Sequence, residues 1–246
     1  MIHSLRQEHF DLPLSDYRLT FDDGLYSQYY YLPLLRRANT PMIYFIASAM
    51  IRPGPARKTY TGHHLPHVKS TAYMLAARSR SDLSHFMTVD EVADLHCRED
   101  ILIGAHSHFH EVALTPYLPK KPNSRWKRER LAGFPPAMTQ ALAIRSRLAF
   151  RGYGCRGGRL VRRTSEEWLD FVKYDTEECL KWFMNHLGFQ PTLYCLPFNE
   201  YSRRLLEVLE SFGFTTFYNG RRRLGRRVIP RIDIDALLEE HRKLHG

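Results

Sequence analysis

Short apolar runs alternate along the chain with longer stretches of mixed polarity, and the spacing of the apolar positions sets most of the elements. "YRLTF" (residues 17–21) predicts a short buried strand, ended by Asp22, Asp23 and Gly24. Residues 26–39 predict a helix that Pro33 disturbs. "PMIYFIA" (41–47) is a continuous apolar run, the pattern of a strand buried on both faces. "TVDEVADLH" (88–96) predicts a helix opened by a capping box, Thr88 with Glu91, and "ILIGAH" (101–106) the next strand. A long helix is expected over about 164–187, with Trp168, Phe171, Val172 and Trp182 as apolar positions. "TLYCL" (192–196), "FTTFY" (214–218) and "RVIPRIDI" (227–234) predict three more strands, with a helix over 202–212 and a polar helix at the end. Residues 51–84 read as an insertion, first rich in Pro and Gly, then helical near 72–78. Residues 115–163 read as a second insertion, irregular and basic, with "FPP" and "RGYGCRGG" as loop marks. Strands alternating with helices imply an α/β fold with a mainly parallel sheet, open or closed into a barrel. We expect one domain over 1–246, without internal repeats.

Composition supports a globular reading: 43% hydrophobic and 13% aromatic residues supply a sizeable core. No run reaches the ~18–20 apolar residues of a membrane-spanning helix. The first residues, "MIHSLRQEHFDLPLSDY", lack the apolar centre of a secretion signal, so a cytoplasmic location is expected. Cys97, Cys155, Cys179 and Cys195 are far apart, which fits free thiols better than a disulfide framework. The net charge is +10, much of it in "RWKRER" (125–130), "RLVRR" (159–163) and "RRRLGRR" (221–227). Such runs suit an acidic or phosphorylated glycan, an anionic lipid surface or nucleic acid, and equally suit plain solvated loops. No nucleic-acid-binding module signature is present, so no specific nucleic acid is expected, whereas peripheral membrane contact stays open.

In parallel α/β folds, sites form at the carboxyl ends of strands. Asp22 and Asp23 follow one predicted strand, and "GAHSHFHE" (104–111) follows another. His106 and His110 are four apart, a spacing that one helical turn would bring to a single face. Two imidazoles and a carboxylate make a divalent metal site, and the cation would offset the repulsion between adjacent aspartates, leaving one of them free as a base. Taken singly, "FDDG" also fits a strand running into an Asp-Gly turn, and "HSHFH" a surface loop. "TGHHLPH" holds a second imidazole cluster, His63, His64 and His67, readable as a metal site or an exposed loop.

These motifs resemble the NodB-homology polysaccharide deacetylases, carbohydrate esterase family four. That family's Thr-Phe-Asp-Asp-Gly motif stands intact at Thr20 to Gly24, and its His-Ser/Thr-x-x-His motif at His106 to His110. The resemblance covers roughly 17–47, 88–114 and 187–218, and leaves the insertions uncovered. It implies a distorted, incomplete (β/α) barrel carrying basic insertions. It also implies Asp22 as general base and Asp23, His106 and His110 as ligands of a divalent metal, most often Zn²⁺. In "CLPFNEY" (195–201) Pro197 and Phe198 match the family's third motif, and the Phe198 N–H would be the oxyanion donor. Cys195 stands where the family has the arginine that steadies the base, and Arg231 is a candidate substitute. Asn199 replaces a glycine, a swap that left-handed backbone tolerates. The family's late Leu-x-His acid is not found, since His241 and His245 lie on a charged terminal helix; the acid is unassigned, with His63, His64 and His67 as candidates, and Trp168 is only a loose match to the family's Asp…Trp motif.

The resemblance implies metal-dependent removal of acetyl from an N-acetylated sugar or glycan precursor; the lack of a secretion signal points to an intracellular substrate, as in lipopolysaccharide or O-antigen biosynthesis, and the basic loops to an anionic or phosphate-linked one. Two rivals stand beside it. One is a non-haem iron oxygenase, in which paired aspartates have no role. The other is a catalytically degenerate relative that binds a glycan or anionic surface. Oligomeric state is not legible.

Overall fold

The computed structural model describes residues 1–3, 5–220 and 228–245; the basic run at 221–227 lies outside them. Ten strands are β1 (Leu19–Phe21), β2 (Met42–Ile46), β3 (Ile101–Ala105), β4 (Val112–Leu114), β5 (Ile144–Ser146), β6 (Tyr153–Arg156), β7 (Arg159–Arg162), β8 (Leu193–Cys195), β9 (Thr216–Asn219) and β10 (Val228–Pro230). The α-helices are α1 (Tyr26–Tyr30), α2 (Leu32–Leu35), α3 (Ser70–Arg80), α4 (Val89–His96), α5 (Arg125–Arg130), α6 (Pro136–Ala141), α7 (Ser165–Leu187), α8 (Arg203–Ser211) and α9 (Ile234–His245). No helix among the described residues is long and apolar enough to cross a membrane, and the four cysteines are unpaired.

Six parallel strands in the order β1-β2-β3-β8-β9-β10 form a curled half-barrel with flanking helices, an incomplete (β/α) barrel. Every residue of β2 is buried, as its unbroken apolar run requires. Gly104 of β3 lies so close to β2 and β8 that a Cβ there would meet the Phe45 ring at 2.8 Å and the Leu193 carbonyl at 2.9 Å. Residues 1–3 run along the open edge. Ile2 takes a backbone bond from Asp22 N (3.2 Å) and donates to Thr20 O (2.7 Å), while Ile234 N donates to Met1 O (3.0 Å). The N-terminal segment thus spans the gap between β1 and the chain leaving β10, and sets His3 beside the ends of the strands.

The predicted helix over 26–39 is broken into α1, α2 and a 3₁₀ turn, because Pro33 cannot donate back into the preceding turn. The capping box of α4 forms as expected, Thr88 Oγ1 accepting from Glu91 N at 3.2 Å and Glu91 Oε2 from Thr88 N at 2.9 Å. The strand expected over 227–234 ends at Pro230, and Arg231 follows it outside the ladder. The largest departure is at 115–163, which is not irregular: with β4 it builds a four-stranded antiparallel sheet, β5-β4-β6-β7, and two short helices. Its strands have only three or four residues and carry arginines on both faces, so no apolar run announces them. Gly157 and Gly158 make the two-residue turn of the β6–β7 hairpin, both with positive φ (55° and 74°), which favours glycine.

Candidate active site

The end of β1 answers how two adjacent carboxylates coexist. Asp22 continues the extended chain, and Asp23 turns into left-handed backbone (φ 74°), followed by Gly24 (φ 77°). Asp tolerates that conformation, and the turn sends the two side chains to different partners. Both are buried.

Asp22 meets Arg231 in a bidentate pair, Nη1 donating to Oδ1 at 2.6 Å and Nη2 to Oδ2 at 2.8 Å. Arg231 is itself 6% exposed, and its Nη2 lies 2.9 Å from Cys195 Sγ. Burial pushes the Asp22 carboxyl up, but the Arg231 charge and hydrogen bonds, helped by His106, outweigh it and hold the group well below the usual carboxylate range. The arginine thus reaches the aspartate from the chain after β10, and Cys195 occupies the remaining side of the pair.

Asp23 faces the imidazoles. Its Oδ1 is 3.4 Å from His106 Nε2 and 3.6 Å from His110 Nε2, and its Oδ2 is 3.7 Å from His3 Nδ1. His106 Nδ1 donates to the Cys195 carbonyl at 2.9 Å, which leaves Nε2 as the atom turned toward Asp23; burial opposes protonation of the ring, but Cys195 and the Asp23 hydrogen bond outweigh it and raise its pKa. Burial pushes His110 down to about 3, so its ring is neutral. His3, which the sequence motifs did not single out, lines the same cleft. Burial opposes its protonation, but the Asp23 hydrogen bond and the two aspartate charges outweigh that and raise its pKa.

His106 and His110 do not share a helical turn. The segment is a loop, with Ser107 (φ 70°) and His110 (φ 50°) both left-handed. A buried carboxylate from the middle of α7 holds it: Asp175 accepts from Ser107 Oγ (3.0 Å), His108 N (3.1 Å) and Phe109 N (2.9 Å). Ser107 Oγ in turn accepts from His110 N at 3.0 Å. Burial lifts Asp175 to about 6, against the pull of those three bonds. No motif named Asp175, yet it sits in the buried stripe Trp168, Val172, Asp175, Cys179, Phe183. A carboxylate on an apolar helix face is the signal that could have found it.

Phe198 and Asn199 are consecutive left-handed residues (φ 61° and 55°) in the turn after β8. The Phe198 ring packs on His110, with centroids 4.5 Å apart, and stacks on Trp126 at 5.7 Å. Lys127 Nζ lies 4.5 Å from the centre of the same ring. Trp126 and Lys127 of the "RWKRER" run therefore wall the cleft, whose volume is about 370 Å³ and whose floor is Asp22, Asp23, His106 and His110. Trp168 stays away from this cleft, buried with its indole N–H on Leu148 O at 2.8 Å.

Among the described residues two groups of three could hold a metal ion, Asp23–His106–His110 and Asp22–His106–Cys195. The second is occupied by the Arg231 guanidinium, which repels a cation. The His63, His64 and His67 cluster forms no such group among the described residues; the His64 ring packs on Tyr60 and Tyr31 instead.

No family model matches the chain, and no curated protein matches its sequence. Its fold does match solved structures. The deacetylase domain of BpsB from Bordetella bronchiseptica aligns with 87% of this chain and 69% of its own, at 17% identity and a TM-score of 0.58. A de-N-acetylase from Aggregatibacter actinomycetemcomitans aligns with 93% and 77%, at 16% identity and a TM-score of 0.59. IcaB from Ammonifex degensii aligns with 90% and 71%, at 13% identity and a TM-score of 0.51. With its six-stranded half-barrel and its carboxylates and imidazoles at the strand ends, the chain has the fold of the polysaccharide deacetylases.

Proposed function

We propose that the protein is a metal-dependent carbohydrate deacetylase that hydrolyses the N-acetyl group of an N-acetylated saccharide. The observation that carries this is the buried Asp23–His106–His110 triad lying beside an aspartate clamped by arginine. The triad suits a divalent cation. Its 3.4 and 3.6 Å separations are too long for strong hydrogen bonds. They match the ~3.4 Å spacing between ligands that sit ~2.0–2.1 Å from a tetrahedral ion. Zinc fits two neutral imidazoles and one carboxylate. Bound there, the cation supplies a Lewis acid for the acetyl carbonyl and a water acidified toward a pKa of ~7.

The chain's own residues do the rest. Asp22, kept ionised and aimed by Arg231, receives the water's proton. The Phe198 N–H, set by the left-handed turn after β8, donates to the carbonyl oxygen as charge develops there. His3 takes the place of the acid missing from the late strands and donates to the departing amine. A His3→Gln variant is expected to lose kcat by ~10²-fold or more while binding metal normally. Wild-type activity should fall as pH climbs through the His3 pKa of the metal-loaded enzyme, and that limb should vanish in the variant.

Asp175 acts through the loop it holds. Asn offers one acceptor where three donors converge, so Asp175→Asn should weaken metal affinity by ~10- to 100-fold, read by competition with a chelator. Acetate release from chitotetraose, abolished by chelation and restored by zinc, tests the function itself. Saccharide binding by the metal-loaded protein without acetate release would identify a binding module instead.

A further inference from the structure

We propose that the candidate site opens into an extended cationic groove that binds an anionic glycan chain, with a pocket for an acidic group at its far end. This rests on the deacetylase reading for the cleft alone. The segment 115–163, which supplies three strands of the antiparallel sheet, builds much of the groove. From the cleft it passes Ser124, Lys127 and Glu200 into a trough of about 700 Å³. Lys120, Lys121, Lys127 and Arg145 line that trough. Tyr117 is shared by the walls of that trough and of a third cavity of about 360 Å³, lined by Arg151, Arg162 and Arg204 against Trp168.

Charge and shape point the same way. Among the described residues, the trough and the end pocket carry one lining carboxylate, Glu200, and it is already paired with Arg145 (Oε1 to Nε, 3.0 Å). Arg151, Arg162 and Arg204 have no ion-pair partner among the described residues. A concave line of cations with a single carboxylate among them focuses anions. Tyr117, 51% exposed, is the aromatic side chain open to a saccharide, while Phe150 and Trp168 carry the guanidinium groups of Arg145 (4.1 Å) and Arg204 (5.4 Å) on their rings. Ser165 and Ser202, at the starts of α7 and α8, complete the end pocket, where guanidinium groups can take a carboxylate or a phosphate in bidentate fashion.

Two N-acetylated probes of equal length separate charge from sugar: hyaluronan hexasaccharide, which is acidic, and chitohexaose, which is neutral. Arg162→Gln/Arg204→Gln removes two exposed charges far from Asp22 and Asp23 in the chain. The wild-type protein should bind and deacetylate the acidic hexasaccharide in preference, with an affinity that falls as salt rises. The double variant should raise KM and Kd for it by about five- to tenfold with kcat unchanged, and leave chitohexaose untouched. Binding is measured by calorimetry as well as turnover, so the groove is decided even if no acetate is released. Equal affinity of the wild type for both hexasaccharides overturns the proposal. So do equal losses for both in the variant, no loss for either, or binding to phosphatidylglycerol vesicles but not to saccharide.

Discussion

Asp22→Asn is expected to keep its metal and lose turnover by ~10²- to 10⁴-fold, the usual contribution of a positioned proton acceptor. Asp23→Asn should release the metal as well. The two residues are adjacent, equally buried and chemically identical, so a generic loss of acidity cannot explain a difference between them. What separates them is the backbone: extended at Asp22, left-handed at Asp23, which gives one to a guanidinium and the other to three imidazoles. Measured zinc content beside kcat decides the matter, and identical behaviour of the variants in both assays would refute the division of labour.

The second large effect belongs to Arg231. Arg231→Met leaves Asp22 buried with no counter-charge, and breaking such a pair typically costs ~3–5 kcal/mol. Adding Asp22→Asn to that variant should restore part of the loss, because the stranded charge is gone. The pH dependence follows from the depressed Asp22 pKa. In the wild type the pair contributes fully above the unfolded value of ~3.9 and fades as pH falls toward the folded value. In Arg231→Met the carboxyl is instead pushed up by burial, so the variant recovers stability on acidification. The stability gap, followed by urea titration, should therefore narrow as pH drops, and the acid limb of activity should move toward neutrality. A gap independent of pH would mean that Arg231 stabilises by packing alone.

The parts of the site that were legible in the sequence lie where a strand runs straight into polar residues: Asp22 and Asp23 after "YRLTF", His106 and His110 after "ILIGA". A strand end is a local feature, and one chain segment suffices to see it. Arg231 could only be named as a candidate, since nothing in "IPRIDI" says that a residue just past Pro230 turns back to β1. His3 was invisible for a related reason: only closure of the barrel edge by residues 1–3 brings it to the cleft. Asp175 was hidden by its helix, where a single polar residue among apolar ones carries no turn or strand signal. The second sheet is hidden by arginines on very short strands, although Gly157-Gly158 between two four-residue runs fits a hairpin turn as well as a plain loop.

The seam made by residues 1–3 also bears on how the protein folds. Asp22 meets Arg231 across 209 residues of chain, His106 meets Cys195 across 89, and the edge that positions His3 joins residues 1–3 to Ile234. A nascent chain therefore exposes Asp22, Asp23 and the apolar β2 long before their partners have left the ribosome. Contacts of this sequence separation are slow to form, because loop closure precedes any gain from them. The site is therefore expected to form late, when the segment after β10 docks against β1, and metal present during refolding should bind no earlier than that step, read as zinc uptake lagging the recovery of secondary structure.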